Sequence, residues 1–144
     1  MSDTRDVNDI NVRELLPQQG QFVMIDRLQY VDEKTVISST TVDKDNIFVD
    51  GKIFTEAGII ENIAQTAAAQ MGYIGKYINK SGIKLGVIGE IKNLVIERLP
   101  CIGEKLTTNV EITTEIFSTL MIMAKVYTDN ELIAHGNMKI TMID

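Results

Sequence analysis

The segment GIIENIAQTAAAQMG, residues 58–72, constrains the fold more than any other part of the chain. It is the one long stretch with helical rather than alternating periodicity, and most of what surrounds it reads as strand. Thr55 is the expected N-cap, and Glu56 puts a negative charge in the first turn, where the helix dipole favours it. The helix is expected to run from 56 to about 79, with Gly72 and Gly75 weakening its second half and NKSG ending it.

At 100° per residue, Ile60, Ile63, Ala64, Ala67, Met71 and Ile74 share one broad apolar arc. Asn62, Thr66 and Tyr73 fall on a polar side. Between the arcs runs a narrow stripe of Glu61, Gln65, Ala68 and Gly72, flanked by Gly58 and Ala69. Small residues in such a stripe let another chain or a ligand approach the helix backbone. Glu61 then has two readings. An ionised carboxylate buried without a partner costs several kcal/mol or more, so a buried Glu61 points to a general acid with a raised pKa. At a solvated helix edge, or bonded to Gln65 one turn on, it is an ordinary surface residue.

Alternating patterns predict strands at FVMIDRLQYV (22–31) and TVISSTTV (35–42), joined by DEK as a hairpin. Before them, INVRELLP forms one short helical turn with Asn11 as cap, and residues 1–9 are expected to fray. Residues 44–53 read as loop. After the helix come IKLGVIGEIKNLVIE, in which Gly86 and Gly89 imply a bulge or bend, then the turn RLPCIGEK and the strands LTTNVEITTEIF, TLMIMAKVYT and LIAHGNMKITMI. Two strands, a helix and a meander predict an α+β domain spanning residues 1–144, its antiparallel sheet wrapped around one helix.

The rest of the composition mainly excludes. A net charge of −6 leaves no basic stripe for nucleic acid. No apolar run is long enough for a membrane span, and MSDTRDVND has no signal-peptide core, so a cytoplasmic location is expected. Cys101, the single cysteine, follows Pro100 in a turn and reads as a structural thiol. His135, the single histidine, alternates with Asn137, Lys139 and Thr141 on the polar face of its strand, opposite Leu132, Ala134, Gly136, Met138, Ile140 and Met142. It has no serine or cysteine partner for a hydrolase triad, and one His with one Cys does not make a zinc site. No phosphate loop or dinucleotide fingerprint occurs, and no cofactor or metal is expected.

Three blocks resemble the β-hydroxyacyl-acyl-carrier-protein dehydratases of the FabA/FabZ type. LLPQQGQFVMIDRL (15–28) is similar to the family's opening Leu-Pro-His and Pro-Phe-Leu-Leu-Val-Asp-Arg, with Leu16, Pro17, Phe22, Ile25, Asp26 and Arg27 in place. IIENIAQTAAA (59–69) resembles its central helix through Glu61, Ala64 and Gln65, and LVIERLPCIGEKL (94–106) its third block through Pro100, Gly103, Glu104 and Leu106. The resemblance implies a hotdog fold that forms a homodimer, or a larger oligomer, through sheet edges. It also implies a lyase acting on an acyl thioester carried on the pantetheine arm of an acyl carrier protein.

The same resemblance marks a departure. Family enzymes carry His-Phe-Pro-Gly-x-Pro-x-x-Pro-Gly just before the helix, which falls here on IFVDGKIFTE. The histidine position is Ile47. Only Phe48 is retained from the motif's start, and the proline and glycine positions hold Val49, Asp50, Lys52, Thr55 and Glu56. In the family the histidine takes the proton next to the thioester carbonyl, and the helix carboxylate of another subunit assists departure of the hydroxyl. Glu61 carries over as the acid with Gln65 orienting it; the histidine does not. The chain also resembles a divergent branch from polyene and pigment pathways, which likewise replaces this block while keeping the Glu-x-x-Ala-Gln helix, so the resemblance implies a place in fatty-acid or polyene-type biosynthesis. Asp50 and Lys52 are the loop candidates for a substitute base. Gly58 and the first helical turn are the candidate carbonyl site, with Ala57, Phe48 and Ala68 as further substrate contacts. Two other readings are a non-catalytic carrier-protein-binding subunit that pairs with a catalytic homologue, and an acyl thioesterase.

Overall fold

The computed structural model describes residues 6–143. One antiparallel sheet carries six strands in the order β1-β2-β6-β7-β8-β5: β1 (Arg27–Val31), β2 (Thr35–Thr41), β5 (Leu85–Ile96), β6 (Lys105–Ile116), β7 (Thr119–Thr128) and β8 (Glu131–Ile143). A two-residue ribbon, β3 (Val49–Asp50) with β4 (Ile53–Phe54), precedes the helix α1 (Glu56–Tyr73). This is the antiparallel sheet and single helix that the strand order predicts, and it fits the hotdog fold that the resemblance implies. Residues 7–9, expected to fray, form a 3₁₀ turn capped by Asp6; the expectation for residues 1–5 lies outside the described residues. Asn11 caps the next turn by accepting from Arg13 N at 3.0 Å. No helix is long and apolar enough to cross a membrane among the described residues.

Ile59, Ile63 and Ala67 of α1 share one apolar core with Leu106, Val110, Ile122 and Ile140 from the sheet. The polar side of α1 does not face water. Asn62 and Thr66 are fully buried, Tyr73 nearly so, while Ile60, Met71 and Ile74 of the apolar arc are only partly covered. The helix is enclosed nearly all round, so polarity along it does not distinguish solvent from interior. Its buried polar side chains find partners inside instead, except that Gln70 Oε1 is left without one among the described residues. Asn62 Nδ2 donates to Met24 O at 2.9 Å and to Thr40 Oγ1 at 3.1 Å, and its Oδ1 accepts from Thr108 Oγ1 at 2.6 Å. One turn on, Thr66 Oγ1 lies 2.7 Å from Ser38 Oγ, and Gln70 Nε2 donates to Asp32 O at 2.8 Å.

This seam shortens the first predicted strand. Strand pairing begins only at Arg27; Gly20–Phe22 is a 3₁₀ turn. The carbonyls of Phe22 and Met24 and the amide of Met24 are taken by Gln65 and Asn62, which replaces a strand neighbour as their hydrogen-bonding partner.

The helix reaches Ile78, close to the predicted end at about 79, but changes character on the way. After Tyr73 the chain loosens into a π-helical turn, Ile74–Ile78, in which Asn79 N reaches Ile74 O at 2.8 Å. Here Gly82 packs onto Gly75 so closely that a β-carbon at Gly75 would collide with the Gly82 carbonyl. Gly72 is likewise filled, by the backbone of Leu15. The small-residue stripe is thus largely covered by the chain's own loops.

β5 bulges at Ile88/Glu90, around Gly89, and again at Lys92/Val95. Its other edge is unpaired among the described residues, with Val87, Ile91 and Val95 exposed. On β8 a bulge puts Ile133 in the core and leaves Leu132 exposed, against the expected alternation. His135 lies opposite Lys125 and Val95 on the outer face.

The third block folds around one carboxylate. Glu104 receives Arg98 through both oxygens, at 2.8 and 3.0 Å, and accepts from Cys101 N at 2.6 Å; Cys101 itself is exposed. The Arg98 guanidinium, helped by the Cys101 amide, holds the Glu104 pKa at about 2, below the usual 4.5. A depressed carboxylate stabilises the fold above its unfolded pKa and loses that contribution as pH falls through its folded one. The difference in urea midpoint between the native chain and Glu104→Gln should therefore be largest above pH 4.5 and shrink from there towards about pH 2. A difference independent of pH would contradict the assignment.

Candidate functional site

Glu61 sits one turn into α1 beyond Ala57, half-buried, and its orientation comes from Gln65. Gln65 is almost wholly buried, and its amide can be read in one sense only. Met24 N is a donor, so the oxygen facing it at 2.7 Å must be Oε1. Nε2 then donates to Phe22 O at 2.8 Å and to Glu61 Oε1 at 3.2 Å. One carboxylate oxygen of Glu61 is thereby held as an acceptor. The other makes no hydrogen bond among the described residues and lies on a half-exposed side chain. The geometry meets the second reading of Glu61 in its bond to Gln65, while the side chain is half-buried rather than fully solvated.

The loop before the helix is well fixed. Asn46 Oδ1 accepts from Phe48 N at 2.8 Å, and Thr55 grips Phe48 O through both its amide (3.0 Å) and its hydroxyl (2.8 Å). Thr55 therefore occupies the N-cap position without capping by its side chain; the hydroxyl ties down the loop instead. Ile47 projects outward, 38% exposed. Asp50 and Lys52 lie at the exposed turn of the β3–β4 ribbon, and neither bonds to Glu61.

The substrate-contact candidates divide. A β-carbon on Gly58 would lie 2.6 Å from the Phe54 ring and 3.0 Å from Phe48 Cβ, so that face of the first turn is closed by protein. Phe48 is half-buried in that packing, whereas Ala57 is exposed. Ala68 is buried beneath β5, where a β-carbon on Gly86 would stand 3.7 Å from it. The open surface around Glu61 is thus bordered by Ala57 and by Phe22, itself 57% exposed. Sequence reasoning missed Asn62, Thr66 and the Phe22–Met24 backbone as supports of the site. The spacing Asn62, Thr66, Gln70 was the available signal: polar residues every fourth position in a helix otherwise too apolar to face water. Among the described residues, no group of three His, Cys, Asp or Glu side chains is placed to hold a metal ion.

Comparison with known proteins adds to this geometry. The family described as ApeP-like, ApeP dehydratase, matches residues 10–144. The chain is 25% identical to the 3-hydroxyacyl-[acyl-carrier-protein] dehydratase FabZ of Clostridioides difficile (strain 630), over 96% of this chain and 99% of the relative. Among solved structures it is similar to the dehydratase heterocomplex ApeI:P from Xenorhabdus doucetiae, with a TM-score of 0.85 at 15% identity, covering 94% of this chain and 92% of that one. It is also similar to a hypothetical thioesterase with coenzyme A from Streptococcus pneumoniae TIGR4, with a TM-score of 0.62 at 9% identity, covering 80% and 83%.

Replacing Gln65 by Met keeps the volume but orphans the Met24 amide and the Phe22 carbonyl. Buried groups left unpaired cost about 1–3 kcal/mol each. Gln65→Met should lower unfolding free energy by roughly that much and remove hydrogen-exchange protection from the Met24 amide. Unchanged protection would mean that Gln65 does not hold this segment.

Proposed function

The chain belongs to the ApeP-like dehydratase family, and on that premise we propose that it is one half of a β-hydroxyacyl-thioester dehydratase site. It supplies the acid and the acyl-binding surface, and a second chain supplies the base. The observation that carries this reading is the pairing of a positioned, half-exposed Glu61 with Ile47 at the family's histidine position. Dehydration removes a proton from the carbon next to the thioester carbonyl, breaks the bond to the β-hydroxyl and releases water. The protonated Glu61 carboxyl donates to the leaving hydroxyl oxygen, while Gln65 keeps its other oxygen fixed. The exposed start of α1 at Ala57 turns the positive end of the helix towards a carbonyl, which stabilises charge that develops on its oxygen. Ile47 has no group that accepts a proton. Asp50 and Lys52 lie at a solvent-exposed turn with no bond to Glu61, which favours a base from another chain.

The unpaired β5 edge is the surface on which that chain would add. Twelve residues long, with Val87, Ile91 and Val95 in water, it is a ready template for strand pairing. The solved relative with the TM-score of 0.85 is described as a heterocomplex, which supports an unlike partner over a second copy of this chain. The thioester is carried by an acyl carrier protein or its pantetheine arm, as the curated relative's substrate class suggests.

The experiment mixes this chain with a histidine-bearing homologue whose own helix carboxylate has been changed to an amide. Enoyl thioester should form in the mixture and fall by about 10²–10⁴-fold when this chain carries Glu61→Gln. Equal turnover with Glu61→Gln would reject the assignment, and release of free thiol without enoyl product would point to thioester hydrolysis instead.

A further inference from the structure

A cavity of about 530 Å³ opens at the other end of the helix, roughly 15 Å along the axis from Glu61 at about 1.5 Å per residue. Its floor is apolar: Met71 and Ile74 from the end of the helix, Ile112 from β6, Leu120 from β7 and Met142 from β8. None of Glu61, Gln65, Ala57 or Phe48 lines it, so it is separate from the site above. Its size falls within the range of about 300–1,000 Å³ typical of small-molecule pockets. One wall is the loop at Ser81–Gly82. The bond from Gly82 N to Gly75 O (3.1 Å) and the close packing of those two glycines fix that wall, so the loop cannot settle into the gap.

The rim adds two observations. Its charges balance, Glu33 and Glu115 against Lys34 and Lys84, so it does not select an ion. At its mouth stands Phe117, 99% exposed, in the two-residue turn between β6 and β7. Its φ is +55°, a left-handed conformation that a bulky side chain rarely adopts and glycine takes freely. The chain thus combines backbone strain with a bare aromatic ring at one point on the edge of the cavity. Both costs are offset if the ring gains a surface to cover. Two methionines in the floor let it adapt to different shapes.

We propose that this cavity binds an uncharged, mainly apolar small molecule, a hydrocarbon chain or fused ring with at most one hydrogen-bonding end, and that Phe117 closes over it. The proposal is independent of the dehydratase reading. The probe is N-phenyl-1-naphthylamine, a neutral fluorophore that brightens in apolar surroundings, titrated into the full chain. Saturable binding to one site per chain is expected. Glu115→Trp, which enters the cavity from an exposed position opposite Leu120 on the core-facing side of the sheet, should weaken binding by at least about tenfold without lowering the melting temperature. Phe117→Gly should keep or raise the melting temperature, because it relieves the left-handed backbone, yet weaken binding by about fivefold or more. The anionic analogue 1-anilinonaphthalene-8-sulfonate should bind less tightly than the neutral probe. Absence of saturable binding, or unchanged affinity in Glu115→Trp, overturns the site. Unchanged affinity in Phe117→Gly alone removes the closing role, and tighter binding of the anion overturns the ligand class.

Discussion

The amide of Asn62 holds three parts of the fold at once. From one fully buried side chain it reaches the Met24 carbonyl, the Thr40 hydroxyl on β2 and the Thr108 hydroxyl on β6. A buried polar group is costly unless it is matched, and a matched network admits few alternative arrangements. The helix could slide or rotate against a purely apolar sheet at modest cost. With Asn62, Thr66 and Gln70 each paired to a fixed partner, a small rotation would orphan several buried groups together. The seam therefore sets the helix angle, and that angle decides that Glu61 emerges at the rim while Gln65 stays inside to hold it.

The same constraint explains what could and could not be read from the sequence. Strand alternation in β6 and β7 and in most of β8 was legible because their two faces see different surroundings, core and solvent. The bulge at Gly89 was legible because a glycine interrupts an otherwise regular strand. The environment of the helix was not, because both its arcs are buried and polarity there reports hydrogen-bond partners rather than water. The early residues 22–26 look like strand by composition, yet side chains more than 35 positions away take their backbone groups. Such a long-range substitution leaves no local trace. Likewise Ile133 and Leu132 exchange places through a one-residue bulge that alternation alone does not signal. At the site, the Glu61–Gln65 pair followed from their spacing of four. The closing of Gly58 by Phe54 and Phe48 and of Gly72 by Leu15 did not, because a small residue gives the same pattern whether its neighbour is a ligand or the chain itself.

On the proposed reading the chain is a half-site whose acid is Glu61. The acid is oriented by a buried amide, the preceding loop is pinned to the helix start through Thr55 and Phe48, and the free edge of β5 offers a place for another chain. What the family's chemistry needs beyond this is a proton acceptor, and Ile47 stands where the resemblance puts it. The most direct measurement is therefore the dehydration rate of a β-hydroxyacyl carrier-protein thioester by two copies of the chain joined in tandem, so that position 47 of one can meet Glu61 of the other, native against Ile47→His. If the missing base is what limits the isolated chain, the substitution should raise the rate by about 10²-fold or more, and adding Glu61→Gln should remove the gain. A native chain that turns over as fast as Ile47→His, or a gain that survives Glu61→Gln, would contradict the account.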